Sequence, residues 1–584
     1  MAFNGMYIGL SGLQVSQAAL NVTSHNLANV DTEGYVRQQP VLTDFQYVKL
    51  GESYLSSKQL GLGANFAEIK QVRDMFLDLA YREEIGRKAY YESQYQAVSE
   101  IEGLFGELEG VSFQDTINDF WEAMQEMVKE PDNIVARASF VQTAVSFLER
   151  ANSIYSQLCD YQVSLNTQIL QQVKRINEIG DEISKLNKKI TYYESSGLEN
   201  ANDLRDQRNL LLDELGKYAY ITYREDKNGV VTVKLEGMAF VTEDRVYHMG
   251  TAKVSEDTPM LKPIWEDHGN VDVFNFDVPP STENDTDIGS LKGLLLARGY
   301  KQANYTDIPV RDRYNSESEY KQAVSEYNNK ISPSVIMTAQ AQFDQLIHGI
   351  VTTINDILSP NKEVTQVIKE QDGTEKLVKV RILDEDNAPV SMDSQKIMGE
   401  TLFTRKSTPR YTDPQDIQIM DEDGNIQTIK GARIYIEEDP DDNYSLFTIS
   451  ETEVNPNVLL NKSLLPLSKN DGTGAFDIKT AQKLLDGWET PFATLSPNTL
   501  TKNNFSDYYN SFISEIANWG EQVNTISSNQ ATLLESIDNK RAETMGVSAD
   551  DELTNLIKYQ HAYNAAARYI TVVSEMLEHI IMNM

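Results

Sequence analysis

The two ends of the chain carry the same helical repeat, and this repeat constrains the fold more than any other feature. Near the amino terminus, apolar or small polar residues recur alternately three and four positions apart, at Phe3, Met6, Leu10, Leu13, Gln17, Leu20, Ser24 and Leu27. Near the carboxy terminus, the same spacing links Leu553, Leu556, Gln560, Tyr563, Ala567, Ile570, Ser574, Leu577 and Ile581. The repeat predicts a long amphipathic helix at each end.

The amino-terminal helix has a second face made of small residues. Gly5, Gly9, Gly12, Ser16 and Ala19 follow the heptad spacing about a third of a turn away from the apolar stripe. Because three helical glycines cost roughly 3 kcal/mol relative to alanine, this helix should be marginal without partners on both faces. We therefore expect the paired terminal helices to pack between subunits and to be mobile in a soluble monomer. Terminal helices that pack only on the chain's own core are the alternative.

Between the ends, the pattern changes from helical to strand-like and back. Helix formers dominate from about Glu83 to Leu215, and alternating residues around Asn228-Gly229, typical of a type I′ hairpin, mark the start of a β-rich region. We predict an α+β multidomain fold with a long helical terminal coiled-coil or bundle region and inserted β-rich domains. The predicted divisions are residues 1–35 (terminal helix and turn), 36–216 (extended segment, then a long helical bundle), 217–332 (β-rich), 333–360 (helical), 361–500 (inserted, β-rich) and 501–584 (carboxy-terminal helices).

Composition excludes several classes of partner. The 584 residues contain 52 Lys plus Arg and 88 Asp plus Glu, a formal net charge of −36, so nucleic acid and anionic membrane surfaces are disfavoured as partners. We find no run of about 18 apolar residues and no signal-peptide pattern at the amino terminus. Cys159 is the only cysteine, which excludes internal disulfides and cysteine-built zinc sites and is compatible with the cytosol or with export through a narrow channel.

The sequence offers no catalytic, cofactor or metal site. Its 6 histidines are scattered, and the phosphate-binding, dinucleotide-binding and nucleophile-elbow motifs are missing. Two acidic clusters, residues 421–423 and 437–442, remain. The first vaguely resembles a calcium loop, but Ala432 stands where a bidentate Glu is required, so a solvated turn is the better interpretation. We predict no enzyme activity and no cofactor.

Two motifs carry a family resemblance. The run Asn26-Leu27-Ala28-Asn29-Val30-Asp31-Thr32-Glu33-Gly34-Tyr35-Val36-Arg37-Gln38 resembles the amino-terminal signature of the flagellar axial proteins, the family of rod, hook and hook-associated proteins. The residues from Asp551 to Tyr563, followed by Ala566-Ala567-Arg568, are similar to the same family's carboxy-terminal signature. Interior matches, such as Asn202-Asp203-Leu204-x-Asp206-Gln207-Arg208, are most like the hook-associated members that form the hook-filament junction. His25 and Glu33 depart from the usual Asn and Pro.

The resemblance implies a structural role. It implies export by the flagellar type III apparatus without a cleaved signal peptide, and an extracellular place at the junction between hook and filament. It also implies contacts with further copies of the chain, with hook protein, with the second junction protein (hook-associated protein 3) and, before secretion, with an export chaperone on the carboxy-terminal helix. The variable stretch within residues 361–500 matches nothing recognisable.

We predict a subunit interface from the repeat and the signatures together. Its residues are Phe3, Met6, Leu10, Leu13, Leu20, Leu27, Gly34, Tyr35, Leu553, Leu556, Tyr563, Ile570, Leu577 and Ile581. Two alternatives stay open. One is another axial protein, a hook or rod protein, and the other is an axial protein whose inserted domain is an adhesin or a hydrolase.

Overall fold

Long helices and short strands alternate along the chain. The computed structural model describes residues 2–53, 56–106, 112–197, 200–256, 258–369, 375–421 and 424–582. Helix α1 spans Ala2–Ala28, and strands β1 (Gln38–Asp44), β2 (Tyr47–Ser53), β3 (Ser56–Gly61) and β4 (Ala64–Gln71) follow it. Helices α2 (Met75–Phe105), α3 (Phe113–Lys129), α4 (Ile134–Glu194) and α5 (Asn202–Tyr218) come next.

The middle of the chain holds short strands, with three helices between two groups of them. Strands β5 to β10 span Ile221–Glu225, Val231–Leu235, Met238–Val241, Met249–Lys253, Leu261–Trp265 and Val271–Asp272. Helices α6 (Ser290–Arg298), α7 (Glu317–Glu326) and α8 (Val335–Leu358) precede strands β11 to β17, at Asn361–Lys369, Glu375–Leu383, Val390–Ser391, Phe403–Arg405, Gln415–Met420, Ile426–Ala432 and Thr452–Val454. Helix α9 (Pro456–Leu460), strand β18 (Pro466–Ser468) and helices α10 (Ile478–Glu489), α11 (Phe505–Met545) and α12 (Ala549–Met582) complete the order.

The α+β prediction, with helical ends around inserted β-rich parts, is confirmed. The individual domain divisions stay a prediction.

A helical body forms the main core. Asp74 caps helix α2, because its carboxylate accepts hydrogen bonds from the backbone N–H groups of Phe76 and Leu77. Helix α4 is 61 residues long, and its isoleucines at 176, 179, 183 and 190 are fully buried. Stacked and edge-on aromatic rings fill the centre of the body, with Phe120 lying 5.3 Å from Phe140 and 5.2 Å from Phe147 between ring centroids.

The inserted β-rich part carries its own small core. Four strands run in the order β12-β11-β15-β16, and an isolated bridge between Ile382 and Ile434 brings the chain beyond β16 back to β12. The sheet therefore curls around the buried side chains of Ile382, Ile417 and Ala432.

Earlier in the chain, Asn228-Gly229 does lie in a hairpin loop between β5 and β6. Only Gly229 of the pair has a positive φ, so the predicted type I′ turn is wrong.

A buried polar cluster attaches the inserted part to α8. Glu438 accepts hydrogen bonds from His348 at 3.1 Å and from the Tyr305 hydroxyl at 2.8 Å, and the His348 and Tyr305 rings stack with centroids 3.8 Å apart. Burial raises the pKa of Glu438, but His348 and hydrogen bonds, including one from the backbone N–H of Phe447, lower it to about 2. This member of the second acidic cluster is therefore a structural anchor.

Two glycines of α2 make a matched test of this packing. A Cβ atom on Gly86 would lie 2.5 Å from the backbone oxygen of Gly216 in α5, whereas nothing lies within 4 Å of the Cβ position of Gly103. We expect Gly86→Ala to lower the free energy of unfolding by about 1–3 kcal/mol, because two backbones must separate. Gly103→Ala should raise it by roughly 0.5–1 kcal/mol. Denaturant unfolding of the two variants checks both signs, and equal effects would contradict the close helix contact.

Candidate functional site

The terminal helices pair with each other inside one chain. Gly5 lies against Tyr569, Gly9 against Ile570 and Gly12 against Ala566, so α1 and α12 run antiparallel. A Cβ atom on Gly9 would lie only 2.6 Å from Cγ1 of Ile570. The small face predicted from the sequence is thus the face on which α12 packs, and the glycines allow the two helices to approach closely.

A β-ribbon lies along another face of α1. Strand β1 pairs with β4, and β2 pairs with β3, so the described residues between 38 and 71 form a two-stranded ribbon. Gly63 lies against Ile8 and Ser11 of α1. At the other end of the contact, the Asn26 side chain donates to the backbone oxygen of Gln38 at 2.8 Å. We call α1, α12 and this ribbon the terminal arm.

The amino-terminal signature forms the turn where α1 ends. Gly34 has a φ of +74°, and a Cβ atom there would lie 2.4 Å from Cγ of Leu210 in α5. Only glycine fits both requirements. Tyr35 donates its hydroxyl hydrogen to Asn26 at 2.8 Å, and Gln38 donates its backbone N–H to the same side chain at 3.0 Å. Gly34 and Tyr35, predicted as interface residues, thus contact residues of their own chain.

Alternating charges tie together three helices of the body beside the terminal arm, at a place we call the joint. Arg82 contacts Asp213 at 2.6 Å, Asp213 contacts Arg541 at 2.8 Å, Arg541 contacts Asp78 at 2.8 Å, and Asp78 contacts Arg73 at 2.5 Å. All five side chains are 15% exposed or less. The joint therefore ties α2, α5 and the end of α11 together through largely desolvated ion pairs.

Two further contacts connect the arm to the joint. Arg37, just after the α1 turn, donates to Glu552 of α12 at 2.7 Å, and its backbone N–H donates to the backbone oxygen of Met545 at 2.9 Å. Asp206 of α5 accepts the backbone N–H of Val36 at 3.2 Å and a hydrogen bond from Gln71 of the ribbon at 2.8 Å.

Asp206 is a buried titratable group. Burial raises its pKa, and this effect outweighs the opposing influence of Arg73 and of the hydrogen bonds from Val36 and Gln71, so that the pKa is about 7.

The predicted interface residues fall into two groups. Met6, Leu10, Gly34, Leu553 and Ile581 are exposed, while Leu13, Leu20, Leu27, Tyr35, Leu556, Tyr563, Ile570 and Leu577 are half-buried. The side chain of Phe3 lies outside the described residues. Half-burial of Ile570 follows from its contact with Gly9. The half-buried group therefore also takes part in packing within the chain.

The structure adds an apolar surface that the heptad pattern missed. Val572, Met576 and Ile580 of α12 are exposed on one stripe, and Ile557 is exposed nearer the joint. Their spacing of four residues was visible in the sequence, but the stronger repeat one or two positions away concealed it. Helix α1 contains no Asp, Glu, Lys or Arg between Ala2 and Ala28, in a chain where 24% of residues are charged. Charge depletion of this kind marks the core of an interface.

Other candidate sites are weaker. Among the residues that the structure describes, no group of three or more His, Cys, Asp or Glu side chains is placed to hold a metal ion. Glu422 and Asp423 of the first acidic cluster lie outside the described residues. No described helix combines the length and the apolar character needed to span a bilayer.

Comparison with known proteins agrees with this architecture. The model of the flagellar hook-associated protein FlgK helical domain matches residues 98–364, and two flagellar basal body rod models match the ends, at residues 6–35 and 539–584. Flagellar hook-associated protein 1 of Bacillus subtilis is 25% identical and covers 100% of this chain and 98% of its own length. The chain is similar over its full length to flagellar hook-associated protein 1. The proteins of that name from Salmonella typhimurium and Escherichia coli are 23% and 21% identical to it, each over 98% of both chains.

A solved structure supports the fold. The flagellar hook junction protein FlgK from Burkholderia pseudomallei matches with a TM-score of 0.50 at 12% identity and covers 79% of this chain and 99% of its own. In this family context, the amino-terminal rod model ends at residue 35, after the turn that Gly34 forms. The carboxy-terminal rod model starts at residue 539, beside Arg541 of the joint. The end models thus coincide with α1 and α12 and meet the body at the joint.

The joint can be tested by removing one charge. We expect Arg541→Gln to lower the free energy of unfolding by about 3 kcal/mol, because Asp78 and Asp213 each lose one of their two buried partners. Hydrogen exchange should increase in the last turns of α11 and at the start of α12. Lys129→Gln is the matched control, since the Lys129–Glu126 pair is 64% and 66% exposed and should contribute well under about 1 kcal/mol. Equal effects of the two changes would contradict the role of the joint.

The raised pKa of Asp206 predicts a pH dependence. The folded chain holds this proton up to about pH 7, whereas an unfolded Asp loses it near its ordinary value of 3.8. The contribution of protonated Asp206 to the free energy of unfolding is therefore complete below about pH 4 and is lost as the pH rises through 7. Between pH 4 and pH 8, the free energy of unfolding of Asp206→Asn should therefore rise by roughly 3–4 kcal/mol relative to that of the wild type. Unfolding curves across this range check the sign, and a relative loss by the variant would show that Arg73 keeps Asp206 ionised.

Proposed function

We propose that this chain is a structural protein of the bacterial flagellum that joins the hook to the filament. The observation that carries the proposal is the uncharged α1 paired with an α12 that leaves Val572, Met576 and Ile580 exposed. Such apolar surface is unfavourable in water and is typical of a chain that becomes covered by partners. The full-length similarity to hook-associated protein 1 supports the same conclusion.

The chain acts by contact and has no catalytic step. Identical copies join through their terminal arms by heterologous contacts, as expected for subunits arranged around a common axis. The buried charges at the joint and the Glu438–His348 anchor already have structural partners, which leaves them no evident chemical task. No cofactor is required.

Several flagellar partners fit the exposed surfaces. Hook protein lies on one side of the junction and the second junction protein, hook-associated protein 3, on the other. Before secretion, an export chaperone covers the α12 stripe, since an exposed apolar stripe of this length would self-associate. The chain leaves the cell through the flagellar type III apparatus and is extracellular in its final place. Neither nucleic acid nor membrane is a partner.

A hook or rod protein would share the two terminal motifs with this chain. Only the interior of the chain distinguishes such a protein from the junction protein. The rod models match only residues 6–35 and 539–584, whereas the hook-associated helical-domain model matches residues 98–364, which include the end of α2 and all of α3 to α8. The helical body therefore favours the junction protein.

Immunogold electron microscopy of intact flagella tests the assignment directly. Antibody raised against the full chain should label a narrow band where the hook meets the filament. Labelling along the whole hook would favour a hook protein, and unlabelled flagella would overturn the proposal. A strain lacking the chain controls for non-specific labelling.

A charge on the α12 stripe should block assembly without unfolding the chain. Met576 is 60% exposed, so Met576→Asp should leave the thermal unfolding midpoint within about 2 °C while reducing incorporation and swimming at least tenfold, because the assembly would bury the new charge. The matched control is Thr571→Asp, an exposed position roughly 140° round the same helix. Wild-type swimming by Met576→Asp would show that this stripe is not an interface.

A further inference from the structure

A cavity opens in the body where the β8–β10 sheet, the end of α6 and the turn between α7 and α8 meet. Its volume is about 230 Å³. The lining comes from separate parts of the chain, since Pro263 lies in β9, Leu295 in α6 and Pro333 just before α8. None of the lining residues belongs to the terminal arm or to the joint, so the cavity is distinct from the surfaces described above.

Apolar groups form most of the cavity wall. The rings of Phe274 and Phe276 both line it, with their centroids 6.1 Å apart and their planes tilted by 38°. Phe274 is buried, whereas Phe276 is 40% exposed at the mouth. Together with Pro263, Leu295 and Pro333, these rings offer contact to a flat or branched apolar group.

One wall carries a buried cation that lacks a carboxylate partner. Arg298 lines the cavity and is 1% exposed. Its Nε donates to the backbone oxygen of Gly299 at 2.9 Å, and its Nη1 donates to Asn166 at 2.6 Å and to the backbone oxygen of Leu261 at 2.7 Å. The remaining nitrogen, Nη2, has no hydrogen-bond partner among the described residues.

The Arg298 side chain is nevertheless charged at neutral pH. Burial lowers the pKa of its guanidinium, but only to about 10. Buried charges in proteins are normally paired, because an unpaired charge away from water is unfavourable. A cationic side chain whose free nitrogen adjoins a cavity therefore indicates an anion as the missing partner.

The other charged groups of the lining also favour an anion. Lys262 pairs with Asp272 at 2.7 Å, so these two charges neutralise each other. Lys330 is exposed and forms no ion pair within the described part of the chain. The lining thus carries three cations and one carboxylate, in a chain whose net charge is −36. This local excess of positive charge attracts an anion.

We propose that this cavity binds a small carboxylate that carries an aromatic or branched apolar group. The carboxylate accepts hydrogen bonds from Nη2 of Arg298 and from Lys330, while the apolar group packs on Phe274 and Phe276. Guanidinium donors match a carboxylate in geometry and in charge. Inorganic phosphate or sulfate would gain nothing from the apolar wall, so a purely inorganic anion is the weaker candidate.

The size of the cavity restricts the ligand further. An apolar cavity of about 150 Å³ holds benzene, so this one has room for a single ring and a carboxylate. A partner's helix, with a diameter of about 10 Å, is too wide to enter. The ligand is therefore a free small molecule.

Phenylacetate and two relatives test the proposal on the purified full chain. Phenylacetamide has nearly the same shape without the charge, and acetate has the charge without the ring. In isothermal titration calorimetry, phenylacetate should bind at least about tenfold more tightly than either relative, because each of them lacks one part of the interaction. Phenylacetate should also raise the thermal unfolding midpoint, because it binds only the folded chain.

Variants of the cavity locate the binding. Lys330→Gln and Phe276→Ala change exposed side chains and should leave the chain folded, while each weakens phenylacetate binding at least about threefold. Lys129→Gln, which changes an exposed lysine outside the cavity, should leave the affinity unchanged. Arg298→Met should weaken binding more than Lys330→Gln does. Should Arg298→Met not fold, the two exposed variants still carry the test.

Three results would overturn the proposal. Equal affinity for phenylacetate and phenylacetamide would show that the cations do not select a carboxylate. Phenylacetate binding that neither Lys330→Gln nor Phe276→Ala weakens would lie elsewhere on the chain. The third is no detectable binding of phenylacetate up to about 10 mM. Each experiment uses the unassembled chain, so its result is independent of the proposed place in the flagellum.

Discussion

The alternating charges at the joint hold three helices of the body in one arrangement at the place where the terminal arm begins. Asp213 is shared by Arg82 and Arg541, and Asp78 is shared by Arg541 and Arg73, so each carboxylate has two guanidinium partners. Buried ion pairs seldom add much net stability, because desolvation offsets the attraction. These ion pairs instead fix the relative positions of the helices, since any shift of α11 against α2 or α5 would leave a buried charge unpaired. The direction in which the terminal arm leaves the body is thereby fixed.

Much of this architecture was readable in the sequence, for identifiable reasons. The helical repeat at each end predicted α1 and α12, and the small residues predicted a close helix partner, because both depend on local spacing. The partner of the small face needed the structure, since Gly9 and Ile570 stand at opposite ends of the chain. Spacing reveals which face is special but not what covers it.

The remaining features depend on contacts between distant segments. The sequence predicted only an extended segment where the ribbon lies, because its strands show little alternation between apolar and polar residues. The stripe of Val572, Met576 and Ile580 was hidden beside a stronger repeat. The structural role of Glu438 in the second acidic cluster was not readable in the sequence, because its partners, His348 and Tyr305, come from far earlier in the chain. Polar residues of this kind acquire meaning only through tertiary partners.

The close approach of Gly9 to Ile570 also orders events in time. Helix α1 is synthesised first, yet the helix that fills its small face is synthesised last. The body, from α2 to α11, contains its own core and can form before either end is paired. In a chain that emerges amino end first, the small face of α1 therefore has no α12 to pack on until the final residues have emerged. Pairing of the ends is then the last folding step and reports that the whole chain has been delivered.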